Sequence, residues 1–523
     1  MVKPAKKEII AVLEEMAVFL ELLGANPFKV RAFANGARVL EGMGGDIAPY
    51  IEEGGLSQIK GIGPGLIRVI TELWETGASS DYEELRSEVP EGLLEMLRIQ
   101  GLGPKRVKAI HEKLGVDTLA ELEYACNENR LSALEGFGAK TQANVLKGID
   151  QLKRYRNQHL YSSAIQEAEA FLEELQLLKG VKRASIAGSL RRRKEVIKDI
   201  DLLAAAADSK PVMEWFVKHP SVVDLIAHGE TKSSVRLKSG IQCDLRVVSD
   251  KEFPYALHHF TGSKEHNVAM RGRAQGLGYK MNEYGLFQGG KLVSCKSEEE
   301  IFAKLGMDWL PPELREDRGE ITAAEQKRLP RILDWEDLRG AFHVHTDASD
   351  GAAPLKKMTD SARKLGWAYV GISDHSQTAN YAHGLDPKRV KEQQAEIDAL
   401  NQRYKGAFRV FKGIESDILP DGSLDYSDKV LASFDFVIGS IHSNFKMTAR
   451  QQTARLVKAM KNKHLTMLGH LTGRLLLGRD GYEFDLEEIL RVAADLGVAI
   501  EINANPHRLD LDWRNCRRAK DLG

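Results

Sequence analysis

Cysteine is scarce. The four residues, Cys126, Cys243, Cys295 and Cys516, are scattered and form no CxxC pair. That argues against a disulfide framework and against a cysteine-based zinc site, and it points to a reducing cytosol. Long apolar runs are missing as well: no stretch reaches the ~18 residues that a membrane span needs, so no membrane partner is expected. The opening segment MVKPAKKEIIAVLEEMAVFLELLG is broken by Glu14, Glu15 and Glu21, and reads as an amphipathic helix instead of a signal peptide. Excess charge of either sign is absent too. Lys and Arg number 74 against 75 Asp and Glu, so any affinity for nucleic acid must come from local patches. What is present is a globular composition, 43% hydrophobic and 28% charged, over 523 residues. That length implies three or four units with cores of their own.

Residues 1–150 carry apolar residues at spacings of three and four, separated by short glycine turns, and predict an almost wholly helical region. One turn recurs three times: KGIGPGLIRVI at 60–70, QGLGPKRVKAI at 100–110 and EGFGAKTQANV at 135–145. Each reads apolar, Gly-x-Gly, a small or basic residue, then helix. The start of such a helix offers unpaired N–H groups, a natural seat for phosphate. The pattern resembles the helix–hairpin–helix motif, which holds a DNA backbone without reading its sequence. One copy is equally well a plain helix–helix turn. Three copies, two of them followed by Lys or Arg, point to DNA, through Gly61, Gly63, Gly101, Gly103, Lys105, Gly136, Gly138 and Lys140.

After a helix around 162–179, strand-like runs follow: ASIAG, DIDLLAAAA, SSVRLK and IQCDLRVV. Residues 313–335 are charged and poor in pattern, and read as a linker. From 338 onward strands and helices alternate, which predicts parallel strands in a sheet or barrel.

The stretch GSLRRRKEVIKDIDLL at 188–203 sets basic side chains just ahead of Asp199 and Asp201. On a strand, residues two apart face the same way, so the two carboxylates project together. Asp244, in IQCDLRVV, can join them from a neighbouring strand. Three carboxylates on one face repel unless cations neutralise them, and a pair of hard divalent ions is a common solution in phosphoryl transfer. The Gly188–Ser189 turn exposes N–H groups and a hydroxyl to a phosphate, and Arg192 can clamp it in bidentate fashion. The bland alternative is a solvent-facing strand edge. It is weakened by the GSxRR motif at short range and by the third aspartate.

The second constellation is built of histidines. FHVHTDASDG sets His343 and His345 two apart at a strand end, with Asp350 in the following loop. A lone histidine is more often a satisfied core residue, but the pattern continues. Asp374–His375 ends GISDH, Glu415 ends KGIE, His442 lies in IGSIHS and His470 ends MLGH; each closes an apolar run. That is the end of the strands where α/β barrels keep their chemistry. Imidazole with carboxylate suits zinc, manganese or iron in phosphodiester hydrolysis.

GSLRRRKEVIKDID, followed by CDLR and by FTGSKEHNVAMR, resembles the family X DNA polymerases, the polymerase-beta type, over residues 1–318 in order. The resemblance assigns metal binding to Asp199, Asp201 and Asp244, and contacts with the incoming triphosphate to Gly188, Ser189 and Arg192. In HHFTGSKEHNVAMR it places Phe260 and Gly262 at the sugar and nucleotide pocket, and Asn267 and Arg271 on the minor-groove side of the new pair. Residues 338–523 resemble the PHP (polymerase and histidinol phosphatase) domain, a distorted (β/α)7 barrel that is a usual C-terminal partner of bacterial and archaeal members. Carried over, its metal ligands are His343, His345, Asp350, His375, Glu415, His442 and His470.

The resemblance implies a multidomain α+β and α/β chain. Its divisions are a lyase-like helical domain at 1–85, a second hairpin domain at 86–150, a nucleotidyltransferase palm at 151–250 and a nucleotide-selecting subdomain at 251–318. A linker at 319–337 and the PHP domain at 338–523 complete it. The implied function is template-directed, gap-filling repair synthesis, with 3′–5′ exonuclease and abasic-site or 3′-phosphate trimming. Implied cofactors are Mg2+ or Mn2+ in the palm and Mn2+ or Zn2+ in the PHP domain. Implied partners are gapped or primer-template DNA and dNTPs, for a cytoplasmic monomer that meets the nucleoid through DNA. A template-independent nucleotidyltransferase and a polymerase with an inactive PHP scaffold are the alternatives.

Three departures stand out. His259 sits where animal enzymes carry tyrosine, either as a harmless aromatic exchange or with altered rejection of ribonucleotides. Val69 replaces the lysine that forms a Schiff base with an abasic sugar, which predicts weak or no lyase activity. The family's closing Asp-x-His strand has no counterpart before RRAKDLG, so either the sequence is a fragment, or the barrel is incomplete at its C-terminus and its metal site crippled. The first is favoured, because a lost closing strand leaves an open sheet edge and unpaired backbone groups.

Overall fold

The computed structural model describes residues 3–43, 47–155 and 157–523. The chain divides into two compact units, Met1–Arg156 and Asn157–Gly523.

All the regular elements among the described residues of the first unit are helices. Its opening helix, Lys6–Leu22, buries Ile9, Leu13, Met16 and Leu20, one stripe at helical spacing. That stripe meets Phe33, Leu40, Leu66, Val69 and Ile70 in one core. A second core gathers Leu93, Met96, Val107, Ile110, Leu122, Val145 and Ile149.

The second unit opens with strands β1 (His159–Leu160), β2 (Val181–Ile186), β3 (Val196–Ile197), β4 (Asp199–Ala206), β5 (Val222–His228), β6 (Lys232–Leu237) and β7 (Gln242–Val248). Five of them form a mixed sheet in the order β2-β4-β7-β6-β5, in which only the β4–β7 pair is parallel. The helix Tyr161–Leu177 covers one face with Ala164, Ala168, Phe171 and Leu175, and β4 supplies Ile200, Leu202 and Ala204 to the same core. The strand β5 was not evident in the sequence because most of its positions are exposed and its alternation carries no signal.

Next come the helices Phe253–Thr261 and Lys264–Gly276 and an antiparallel sheet of β8 (Tyr279–Asn282), β9 (Gly285–Gln288) and β10 (Lys291–Val293). The segment read as a featureless linker differs from that expectation. It carries a helix, Glu320–Glu325, whose Ala324 is buried in this subdomain's core beside Tyr255, Phe302 and Leu310. Arg315 is fully buried, where Nη1 meets Glu298 Oε1 at 2.5 Å. Two of the charges that made the segment look solvated, Arg315 and Glu320, are buried and paired inward.

Strands β11 (Gly340–Val344), β12 (Tyr369–Ile372), β13 (Arg409–Asp417), β14 (Phe436–Ser440), β15 (Met467–Leu468) and β16 (Ala499–Ile500) form one parallel sheet in sequence order. Six strands are present among the described residues where the family pattern has seven. The sheet curls until its two ends meet: His343 Nδ1, from β11, lies 2.5 Å from Glu501 Oε1, just past β16. Flat, six strands at ~4.8 Å spacing would hold those ends some 24 Å apart. The outer edge expected to be open is covered beyond β16. Leu511 N–H donates to the Glu501 carbonyl at 3.0 Å, and Asp510 pairs with Asn503.

Candidate functional site

The three glycine turns share one conformation. The first glycine of each, Gly61, Gly101 and Gly136, has φ of +104°, +92° and +84°, a region that other residues avoid. The residue between the glycines donates to a carbonyl three residues back at 3.0 Å in all three: Ile62 to Ile59, Leu102 to Ile99 and Phe137 to Leu134. The second glycine then caps a helix: Gly63 before Pro64–Thr76, Gly103 before Pro104–Leu114, and Gly138 ahead of Ala139–Tyr155. Lys105 and Lys140 lie in the first turns of the second and third helices. Val69 is fully buried in the first core.

In the mixed sheet, β4 and β7 run parallel in a register that sets Asp201 directly against Asp244 and Asp199 against Gln242. The three aspartates therefore converge as their order in sequence implied. Gly188, at φ +63°, turns the chain over this cluster so closely that a Cβ would stand 2.0 Å from Asp201 Oδ2. No side chain can replace it without displacing the carboxylate. Burial raises the Asp201 carboxyl to about 7, and the Asp199 and Asp244 charges push the same way. Burial and Asp244 also raise Asp199. Asp244 behaves oppositely. Burial would raise it, but Lys232 Nζ at 2.7 Å and Gln242 Nε2 at 2.9 Å hold it below the usual range. Neither Lys232 nor Gln242 was singled out in the sequence.

A cleft of about 380 Å³ joins this cluster to the next subdomain. Its wall includes Gly188, Ser189, Arg192, Asp199 and Asp201 on one side and His259, Phe260, Gly262, Asn267 and Arg271 on the other. Asp244 is not among the lining residues. Arg192 Nε pairs with Glu316 Oε1 at 2.9 Å. Asn267 Nδ2 donates to the His259 carbonyl at 2.7 Å. Arg191 and Arg315 grip Glu298 from two sides, at 2.6 and 2.5 Å.

In the curled sheet all seven predicted ligands meet. Glu415, 1% exposed, sits at the centre. Its Oε1 lies 3.1 Å from His343 Nε2, 3.2 Å from His442 Nε2 and 2.9 Å from His470 Nε2. Its Oε2 lies 3.0 Å from His375 Nδ1 and 3.4 Å from His345 Nε2. Asp350 reaches His345 at 2.7 Å and His375 at 3.4 Å. Three overlapping triads, His343–His345–Glu415, His345–Asp350–His375 and His375–Glu415–His442, each bring their ligand atoms within 4.8 Å. That donor set suits more than one borderline transition metal ion.

The alignment of His343 and His345 does not come from simple strand alternation. The register shifts between Ala341 and Val344, and His343 takes a left-handed φ of +59°. A bulge of this kind re-aims a side chain, often beside an active site. Burial would push His343 down, yet Glu415 and Glu501 outweigh it and raise the imidazole to about 10. His345 and His442 are likewise raised to about 9 against burial, through Asp350 and Glu415 and through Glu415 and Asp417. Burial opposes ionisation of Glu415, but the surrounding imidazoles hold its carboxyl well below the carboxylate range.

Sequence reasoning missed two orienting carboxylates. Glu501 faces His343 Nδ1, and Asp417 faces His442 Nδ1 at 2.6 Å. Glu501 ends the run VAIE as Glu415 ends KGIE, a signal that was available. Asp374 braces the His345 loop: its carboxylate accepts from Thr346 N–H at 2.7 Å and from Gln393 at 2.6 Å. Asp510 and Asp512 do not replace the missing Asp-x-His. Asp510 accepts from Thr472 and Gly473, and Asp512 caps the last helix.

The class these parts define is a multidomain enzyme of nucleic acid, with hairpin helices, a carboxylate-bearing mixed sheet and a histidine-lined parallel sheet. Family descriptions match in the same order: a helix-hairpin-helix domain at 4–79, a SAM-like helix-hairpin-helix tandem at 93–150, a DNA polymerase beta thumb at 256–316 and a PHP domain at 341–505. Over 522 residues the chain is 39% identical to the DNA polymerase/3'-5' exonuclease PolX of Bacillus subtilis, covering 99% of this chain and 90% of that protein. A repair DNA polymerase X of African swine fever virus is 31% identical over 163 residues, 29% of this chain and 93% of its own. A probable phosphatase of Caldicellulosiruptor saccharolyticus is 30% identical over 171 residues, 31% of this chain and 64% of its own. The chain belongs to the family X DNA polymerases that carry a C-terminal PHP domain.

Proposed function

We propose that the chain fills short gaps in DNA under template direction, as in base excision repair, and trims 3′ ends with its PHP domain. The observation that carries the first activity is the register of Asp201 against Asp244, under Gly188 and beside a nucleotide-sized cleft. Asp199, Asp201 and Asp244 hold Mg2+ or Mn2+. The ions would neutralise the attacking and leaving oxygens of an in-line transfer. Gly188, Ser189 and Arg192 bind the triphosphate of the dNTP, Phe260 and Gly262 shape the sugar pocket beside His259, and Asn267 and Arg271 face the minor groove of the new pair. The hairpin turns at Gly61–Gly63, Gly101–Lys105 and Gly136–Lys140 grip DNA phosphates and carry no sequence preference.

The PHP cluster around Glu415 holds Mn2+ or Zn2+ through His343, His345, Asp350, His375, His442 and His470. Glu501 and Asp417 orient two of those imidazoles, as carboxylates do behind metal-bound histidines. The meeting of seven ligands favours an active phosphoesterase over a silent scaffold. No helix among the described residues is long and apolar enough to cross a membrane. The working state is a cytoplasmic monomer, held at the nucleoid by DNA.

A 5′-labelled primer on a one-nucleotide-gapped duplex with Mn2+, with and without dNTPs, tests both halves. Extension with dNTPs and shortening without them are the expected results. Extension without shortening would leave the PHP half a scaffold, and no extension would overturn the polymerase reading.

A further inference from the structure

The last helix, Trp513–Asp521, begins on the PHP side of the second unit, and its first two residues lie against the palm. Trp513 Nε1 donates to Glu195 Oε2 at 3.1 Å, and Arg514 Nη1 donates to Glu195 Oε1 at 2.9 Å, across 318 and 319 positions of sequence. Glu195 is 9% exposed and both its oxygens are taken. It is also the one acid within GSLRRRKEVIK, residues 188–198. Each of the four consecutive cations, Arg191 to Lys194, meets a carboxylate from residues 298–316: Glu298 for Arg191, Glu316 for Arg192 and Lys194, and Glu313 for Arg193. Glu195, which ends the turn, is held instead by the last helix.

The indole adds a second hold. Its ring lies 5.1 Å from Lys194 Nζ and 5.1 Å from Arg318 Cζ, cations from the palm turn and from the segment after Arg315. Lys194 Nζ is 3.5 Å from Glu316 Oε2, and the other oxygen of Glu316 holds Arg192 at 2.9 Å. On the PHP side, Asp512 binds Arg514 at 2.7 Å and Arg474 at 2.5 Å. Arg474 is four residues past the ligand His470. A run of contacts thus joins Arg474, near the histidine cluster in sequence, to the guanidinium assigned to the triphosphate.

We infer that Trp513 and Arg514 are positioning residues for nucleotide insertion: held by Asp512, they fix the Arg191–Lys194 turn through Glu195 and Lys194, so that Arg192 meets the triphosphate. This rests on the palm reading given above. It makes the PHP domain a structural part of the polymerase site.

The test is single-nucleotide insertion by the full chain on a gapped duplex, with KM for the dNTP and kcat measured separately. Trp513→Ala, Arg514→Ala and Glu195→Gln should each raise KM about five- to twentyfold while kcat stays within about threefold, because ground-state contact with the triphosphate is lost. Trp513→Phe, which keeps a ring between the two cations, should recover part of the loss. The double variant Glu195→Gln/Arg514→Ala should be no worse than Glu195→Gln alone, as for two ends of one interaction. A KM within about twofold of wild type in all three single variants would overturn the inference. So would an equal fall in kcat and kcat/KM that tracks a lower unfolding midpoint, which marks plain destabilisation. If Trp513→Ala fails to fold, Arg514→Ala carries the test, since its side chain is 41% exposed. A wild type that extends no primer would sink the polymerase reading itself, whereas active variants indistinguishable from an active wild type sink only this inference.

Discussion

Lys232 Nζ lies 2.7 Å from Asp244 Oδ2, so the palm carboxylates already hold a cation that belongs to the chain. An arriving divalent ion must displace it. The Lys232 side chain is 41% exposed against 9% for Asp244, and a pair open to solvent on one side contributes on the order of 1 kcal/mol, or about fivefold in affinity. Lys232→Met should therefore tighten Mn2+ binding to the DNA-free protein about two- to fivefold, read by electron paramagnetic resonance titration. An unchanged affinity would mean that the pair does not compete with the metal.

Removing the carboxylates should separate binding from chemistry. Asp199→Ala with Asp201→Ala should cut primer extension by about a thousandfold or more, while affinity for gapped DNA, set mainly by phosphate contacts elsewhere, changes little. Retained extension would show that the site is misassigned.

Glu298 predicts a specific loss of stability in acid. Its burial would raise the carboxyl, but Arg315 and Arg191 outweigh that and hold it at about 2, against an ordinary 4.5. The folded-state value is depressed, so the stabilisation is complete above pH 4.5 and is lost as pH falls toward 2. It amounts to something on the order of 3 kcal/mol. Glu298→Gln should lose a similar amount at neutral pH, because Arg315 is left buried and unpaired, and should flatten the stability curve over that window. Urea unfolding at several pH values would show it; parallel curves for the two proteins would refute the assignment.

In the PHP cluster, metal uptake should release protons. The imidazoles of His343, His345 and His442 are raised to about 10, 9 and 9 by the carboxylates they face. Ligation requires them neutral, so affinity for Mn2+ or Zn2+ should fall steadily as pH drops below about 9. Calorimetry in buffers of different ionisation enthalpy would count the protons. Glu501→Gln should weaken metal retention about ten- to a hundredfold, measured as metal content after dialysis. Full retention would assign Glu501 to sheet closure alone.

The first unit should not form an imine with an abasic sugar. Val69 is buried in the first core and offers no amine there. Borohydride trapping should yield no covalent DNA adduct on residues 1–85, and a trapped peptide there would contradict it.

Much of this was legible in the chain. Asp199 and Asp201 share a face by strand alternation, a local rule the apolar run displays. That Asp244 joins them depends on the pairing of β4 with β7, which the sequence allowed but did not fix. The turns at Gly61, Gly101 and Gly136 announce themselves by repetition. What stayed hidden depends on partners distant in sequence. Arg315 and Glu320 look solvated until Glu298 and His266 stand beside them, at 2.5 and 3.9 Å. His343 reaches Glu415 through a bulge that no alternation pattern encodes. Lys232 gives no local sign of Asp244, and Trp513 none of Glu195.

Gly188 also bears on how such a sequence can drift. Every replacement adds a Cβ, and any Cβ there falls 2.0 Å from the Asp201 carboxylate. Any substitution there must move that carboxylate, and with it the cluster it belongs to. Gly188 and Asp201 are thus tied in what each can become, although thirteen positions separate them.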